Sequence, residues 1–165
     1  MKHPARPLQK QQGITLIELM VTVSVLAVLA AVAAPSFTPL MERWRVRSAA
    51  EDLQASIYFA RSEAIKRGGG ITIAAIDDDW SNGWKVATPD PDAEQLQTGN
   101  VPAGLSISEG SATTSLSLDR WGSISPAANF LLAPAGKDEE DASAVRLCVN
   151  SSGRILRVSG SSDCP

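Results

Sequence analysis

The chain has 165 residues, 44% of them hydrophobic, and a formal net charge of −3, enough for one ordinary domain and an N-terminal segment. Lys2, Arg6 and Lys10 bring +3 with no acid in the first thirteen residues, so the remainder stands at −6 and bulk electrostatics argue against a nucleic-acid binder. The only histidine, His3, lies in that basic leader, which excludes Ser-His-Asp triads, HExxH zinc sites and histidine acid–base catalysis from everything after Gly13; the two cysteines cannot form a four-cysteine zinc site.

The first predicted element is Ile14 to Ala34, ITLIELMVTVSVLAVLAAVAA, 21 residues with a single charge, Glu18. Its length suits a transmembrane helix, and the basic residues before it place the N-terminus in the cytoplasm. By composition it is equally a signal anchor, a cleaved signal peptide with Ala31-Val32-Ala33 as cleavage site, or something more specialised. The run exceeds the roughly 7–15 residues of an ordinary signal core. Glu18 also sits where such a core is apolar, and an acid in a bilayer needs a partner or a task.

The residue order distinguishes these readings. A short basic leader ending in Gly13, then Ile14-Thr15-Leu16-Ile17-Glu18-Leu19-Met20, resembles the class III leader of type IV pilins and secretion pseudopilins. The resemblance implies that a membrane-embedded prepilin peptidase cuts between Gly13 and Ile14 and methylates the new amine of Ile14. Family members most often carry Phe at that position, so Ile14 is a conservative departure, and Pro35 matches a proline common in pilin helices. Glu18 then lies about one helical turn from a positive amine, its own or a neighbouring subunit's. Two such charges pairing at low dielectric offset costs that neither bears alone.

Pro35 is expected to kink or interrupt the helix, with Ser36 or Thr38 capping a restart. An amphipathic helix over 36–67 follows, with Leu53, Ile57, Ala60 and Ala64 as its apolar stripe. Arg47 with Glu51, and Glu63 with Arg67, are i,i+4 pairs for its wet side, and Arg43, Arg45 and Arg47 read as a solvated face. Gly68-Gly69-Gly70 ends it.

Beyond the glycines the texture becomes short β runs: Ile71–Ile76, Trp84–Thr88, Gly104–Ser108, Ser115–Leu118, Asn129–Leu132, Ala144–Val149 and Arg154–Ser159. The stretches 88–93 and 136–141 read as surface loops. Asp77-Asp78-Asp79 invites a calcium loop, but the glycine comes one residue late and Thr88 stands where a loop glutamate belongs. A hairpin turn at Asn82-Gly83 is the simpler reading, with Trp80 and Trp84 as core packing. Cys148 and Cys164 fit one disulfide pinning the C-terminal strand to its neighbour, in an oxidising compartment.

Three runs, YFARSEAIKR (58–67), WSNGWKV (80–86) and LCVNSSGR (147–154), are similar to the GspH/FimT group of minor pilins and pseudopilins. The resemblance implies a long N-terminal helix on antiparallel sheets. In DNA-uptake members a Gly-Arg-x-Arg element contacts DNA. Here Gly153-Arg154-Ile155-Leu156-Arg157 has one extra residue, which puts the two arginines on opposite faces of a strand. Arg146 adds charge nearby, and Asp163 with the acidic loop 138–141 opposes it.

The expected fold is α+β: a leader over 1–13, a transmembrane or filament-core helix over 14–35, an amphipathic helix over 36–67, and a β-rich head over 68–165. The expected function is that of a minor type IV pilin near the pilus tip that helps initiate assembly. Its partners are minor and major pilins, prepilin peptidase and, before assembly, the inner membrane, with the head in the periplasm. A type II secretion pseudopilin is the alternative, and a DNA-uptake pilin using Arg154 and Arg157 the second. No catalytic residue, metal or cofactor is expected.

Overall fold

The computed structural model describes residues 13–89 and 95–165; the leader 1–12 and most of the 88–93 loop lie outside the described residues. The chain divides into two compact units between Thr38 and Pro39, and each is treated by itself.

In the first unit Thr15 starts the helix. Its hydroxyl oxygen accepts the Glu18 N–H at 3.2 Å and its carbonyl accepts the Leu19 N–H at 3.2 Å, so the side chain satisfies a donor that the first turn otherwise leaves bare. The helix α1 (Leu16–Ala33) has a mean hydropathy of 2.5 and no buried side chain. Its 18 residues extend about 27 Å, close to a bilayer's hydrocarbon thickness. Thr22 and Ser24 donate their hydroxyls to the Leu19 and Met20 carbonyls at 2.9 and 2.7 Å, which settles these groups within the helix itself.

Pro35 interrupts the α-helix, as expected: α1 ends at Ala33 and the next α-helix opens at Thr38. Ala34–Phe37 form a 3-10 turn, Thr38 is itself helical at φ −56°, and no side chain caps a restart. The Ser36 hydroxyl instead donates back to the Ala33 carbonyl at 2.7 Å. The tighter turn accommodates the missing proline N–H, so no fresh N-terminus is created that would need a cap.

The helix α2 (Thr38–Arg67) buries Val46, Ala49, Ala50, Leu53, Ile57, Ala60 and Ala64, a stripe spaced three and four residues apart. It ends where Gly68 takes φ 82° and the Gly69 N–H donates to the Ala64 carbonyl at 2.7 Å, the bond of a Schellman cap. Among the described residues nine strands follow: β1 (Ile71–Ile76), β2 (Asp79–Ala87), β3 (Gln97–Gly99), β4 (Leu105–Glu109), β5 (Ser115–Leu118), β6 (Ile124–Ser125), β7 (Ala128–Pro134), β8 (Val145–Val149) and β9 (Ile155–Ser159). They pair antiparallel into two sheets, ordered β3-β2-β1-β5-β6 and β4-β7-β8-β9. One contiguous core joins the α2 stripe to Ile71, Ile73, Trp84, Val86, Leu116, Phe130, Leu132 and Leu147.

The first hairpin turns at Asp77-Asp78, not at Asn82-Gly83. Both aspartates have positive φ, 52° and 59°, and Ile76 pairs with Asp79; Asp tolerates that conformation better than most residues. Ala75 already pairs with Trp84, so Trp80–Gly83 bulge out of β2. The bulge turns both tryptophans inward. Trp80 donates its indole N–H to the Thr113 carbonyl at 2.8 Å and meets Phe130 edge-on at 4.7 Å. Within it, Ser81 accepts the Ile107 N–H at 3.0 Å and donates to the Ile107 carbonyl at 3.2 Å, stitching β2 to β4 across the two sheets.

Glu63 is not on a wet face: it is buried. Arg67 Nε at 2.6 Å and Lys66 Nζ at 3.2 Å bind its two oxygens, and the Arg67 hydrogen bond, then that of Lys66, holds its carboxyl below the usual range. A carboxylate with a depressed folded pKa stabilises the protein above its unfolded value, and that contribution is lost as pH falls through the folded value. The melting temperature of the chain in detergent should therefore drop on the acid side of the ordinary carboxylate range. Glu63→Gln should lower stability at neutral pH and flatten the acid slope; an unchanged slope would remove Glu63 from the acid response.

Candidate functional site

Gly13 and Ile14 precede α1, and both are exposed. A Cβ at Gly13 would meet nothing, and its φ lies outside the left-handed region. Neither packing nor backbone conformation in the described chain requires a glycine there, so its reason lies elsewhere. Glu18 occupies the third helical position with an exposed side chain and, among the described residues, no ion-pair partner.

The C-terminal arginines separate. Arg157 faces α2, where its Nη1 lies 3.0 Å from Glu51 Oε1; Glu51 thus pairs across the tertiary fold, not with Arg47 one turn away. Arg154 sits before β9, with its N–H held by Asn150 Oδ1 at 2.9 Å, and shares a shallow cavity with Cys148, Leu156 and Pro165. Arg146 is consumed locally: it binds Glu139, the Gly160 carbonyl at 2.9 Å and Asn129 Oδ1 at 3.3 Å. Arg157 and Arg154 line different cavities, the first against α2 and the second beside the disulfide.

Cys148 and Cys164 form a disulfide with Cα atoms 5.5 Å apart. It ties the tail after β9 to β8 and closes a loop worth about 3 kcal/mol on a chain-entropy model. The 136–141 stretch is more than a solvated loop. Lys137 reaches Glu42 of α2 at 2.7 Å and Asp141 at 3.1 Å, and the Glu42 contact foremost raises its pKa. Asp141 is lowered mainly by the Ser143 N–H and then by Lys137. In the β5–β6 turn the Ser123 N–H chiefly lowers Asp119. Asp79 caps the Ser81 N–H at 2.8 Å. Among the described residues no group of three or more metal-binding side chains converges.

Sequence reading overlooks one constellation, around Arg61. Its guanidinium lies between two turns whose glycines, Gly122 and Gly153, have φ 74° and 80°, and a Cβ at either would press on it. The Ile124 N–H donates to the Ser151 carbonyl at 2.9 Å and locks the two turns together. Arg61 and Gly153 both fall in the runs singled out above, but nothing local links positions so far apart.

A family model described as type II transport protein GspH matches residues 49–153, and one for the prokaryotic N-terminal methylation motif matches residues 8–34. The fold is similar to the type IV minor pilin FimU of Pseudomonas aeruginosa in two crystal forms. The first has a TM-score of 0.62 and 29% identity over 74% of this chain and 95% of that one; the second has 0.59 and 28% over 70% and 94%. The minor pseudopilin EpsH of the Vibrio cholerae type 2 secretion system shares the fold at a TM-score of 0.55, with 14% identity over 72% of this chain and 99% of that one. No curated protein sequence matches.

Proposed function

The chain belongs to the GspH family of minor pilins and pseudopilins, and from that premise we propose that it is a minor type IV pilin, placed at or near the pilus tip, that helps to start assembly. The carrying observation is the coincidence, in one chain, of two features. One is the Gly13-Ile14 junction and Glu18 at the head of an exposed apolar helix; the other is a β head resembling FimU.

In this reading prepilin peptidase removes residues 1–13 and methylates Ile14. The apolar surface of α1 rests in the inner membrane until neighbouring helices replace lipid around it. Glu18 sets the register by meeting the amine of an adjacent subunit. The head stays outside the filament core, held rigid by the disulfide and the Arg61 wedge, and offers its surface to other pilins. Family members are structural subunits.

Membership of a type II secretion pseudopilus is the second reading, favoured by the description of the matching family model. Recovery of the chain in sheared surface pili supports the pilus; recovery only with secretion components supports the alternative. The DNA-contact role of Arg154 and Arg157 draws no support from a geometry in which Arg157 is bound to Glu51.

Mass spectrometry of the mature N-terminus tests the processing. The expected product begins at Ile14 and carries one methyl group. A product beginning near Ala34, or an uncut chain, would refute the pilin route.

A further inference from the structure

The strand β9 is the outer strand of the second sheet, and the contacts at its two ends fix its hydrogen-bond parity. The Asn150 N–H donates to the Arg154 carbonyl at 3.1 Å, and the Gly160 N–H donates to the Ala144 carbonyl at 3.0 Å. In the register Leu147↔Arg157, bonded and non-bonded pairs alternate along an antiparallel ladder. Leu156 and Val158 therefore bond to β8, while Ile155, Arg157 and Ser159 turn their backbone groups outward. The Ser162 N–H takes the Ser159 carbonyl at 3.1 Å. The other outward N–H and C=O groups have no protein partner among the described residues.

The remaining sheet edges offer less. β3 and β6 are three and two residues long, and the Ser81 hydroxyl already bonds both backbone groups of Ile107 in β4. Beside β9 lies an open groove of about 510 Å³, walled by Glu51, Gln54, Ala55 and Tyr58 of α2 and by Ile155 and Arg157. A bare edge with a groove beside it is a template for another strand.

We propose that β9 is a strand-addition site, where an extended segment of a neighbouring filament subunit pairs as a fifth strand of the sheet and lies in the groove along α2. The occupant follows from the chemistry of the edge. Outward donors and acceptors repeat every second residue, about 6.8 Å apart, and an extended backbone matches that spacing. A helix has its backbone groups already bonded internally, and a lipid or polyanion surface offers no matching row of donors. The inference rests on the filament-subunit reading.

Position 157 allows a selective test. Its N–H points away from β8, so Arg157→Pro deletes the outward donor while leaving the ladder bonds of its neighbours intact, and edge strands tolerate proline. Arg157→Ala removes the same Glu51 contact but keeps the N–H. Each full-length variant replaces the natural chain in its host, and sheared filaments are assayed for the fraction incorporated. Non-reducing electrophoresis checks the Cys148–Cys164 bond. Arg157→Pro should lower incorporation about tenfold and Arg157→Ala less than about twofold. Equal incorporation of the two overturns the proposal and leaves the filament reading standing. Absence of the wild-type chain from filaments overturns both. Should the proline variant fail to fold, amide exchange of the wild-type chain decides: Ile155, Arg157 and Ser159 should exchange more slowly in filaments than in detergent. Unchanged exchange rejects strand addition.

Discussion

Trp84→Ala should lower the unfolding free energy by about 3–5 kcal/mol, among the largest losses a single truncation can bring to this head. The indole is fully buried in β2, between Ala75 of β1 and Gly99 of β3. It lies over Gly99 so closely that a Cβ there would overlap the ring. Gly99→Ala should therefore also destabilise, and the two losses should fall short of additivity, because a truncated Trp84 leaves room for the methyl group. Among the described residues the buried indole N–H has no acceptor, so Trp84→Phe should cost much less than alanine: it keeps most of the packing and removes an unsatisfied donor. Urea unfolding of the four variants in detergent, followed by circular dichroism, measures these terms. Strict additivity of Trp84→Ala and Gly99→Ala would show that the ring does not dictate the glycine.

How far the fold can be read from the residues depends on whether a signal is local. The α2 stripe is legible because Leu53, Ile57, Ala60 and Ala64 repeat with the helical period, and all four are buried. β1 and β5 fall where alternation and turn residues place them. β3 and β6 are too short to show a period. The β1–β2 hairpin misleads because Asn82-Gly83 is the stronger local turn signal, yet burial of Trp80 beside Phe130 wins and moves the turn to Asp77-Asp78. Propensity is a weak prior against that much apolar area. The same logic governs the candidate site. Gly13, Ile14 and Glu18 fall within one local segment, residues 8–34, that the N-terminal methylation motif matches. The partner of Arg157 lies 106 residues away at Glu51, while the helix period offers Arg47 as a nearer and equally charged choice. Exposed ion pairs are worth only a few tenths of a kcal/mol, so helix spacing alone does not decide which cation Glu51 meets; the fold does, by bringing Arg157 within 3.0 Å.

For Glu18→Gln the expected result is a fall of about a hundredfold or more in filament incorporation, with membrane insertion unchanged. Two roles compete for this residue, and they differ in magnitude. Thr15-Leu16-Ile17-Glu18 fits a capping box, and the Thr15 half of it is made. An acid in the first turn also favours the helix dipole by about 0.3–1 kcal/mol, at most about a fivefold effect. Glutamine keeps the hydrogen-bonding capacity of that role and loses only the charge. Pairing with a neighbour's Ile14 amine in a dry filament core is different. Removing one partner of a buried ion pair costs about 3–5 kcal/mol, because the other charge is stranded, and that corresponds to the hundredfold fall. Immunoblots comparing sheared filaments with membranes measure the fraction incorporated. The N-terminal mass must still show cleavage at Gly13, so that a processing defect is not mistaken for an assembly defect. A decrease within about fivefold would assign Glu18 to the helix start alone and remove charge pairing from the assembly mechanism.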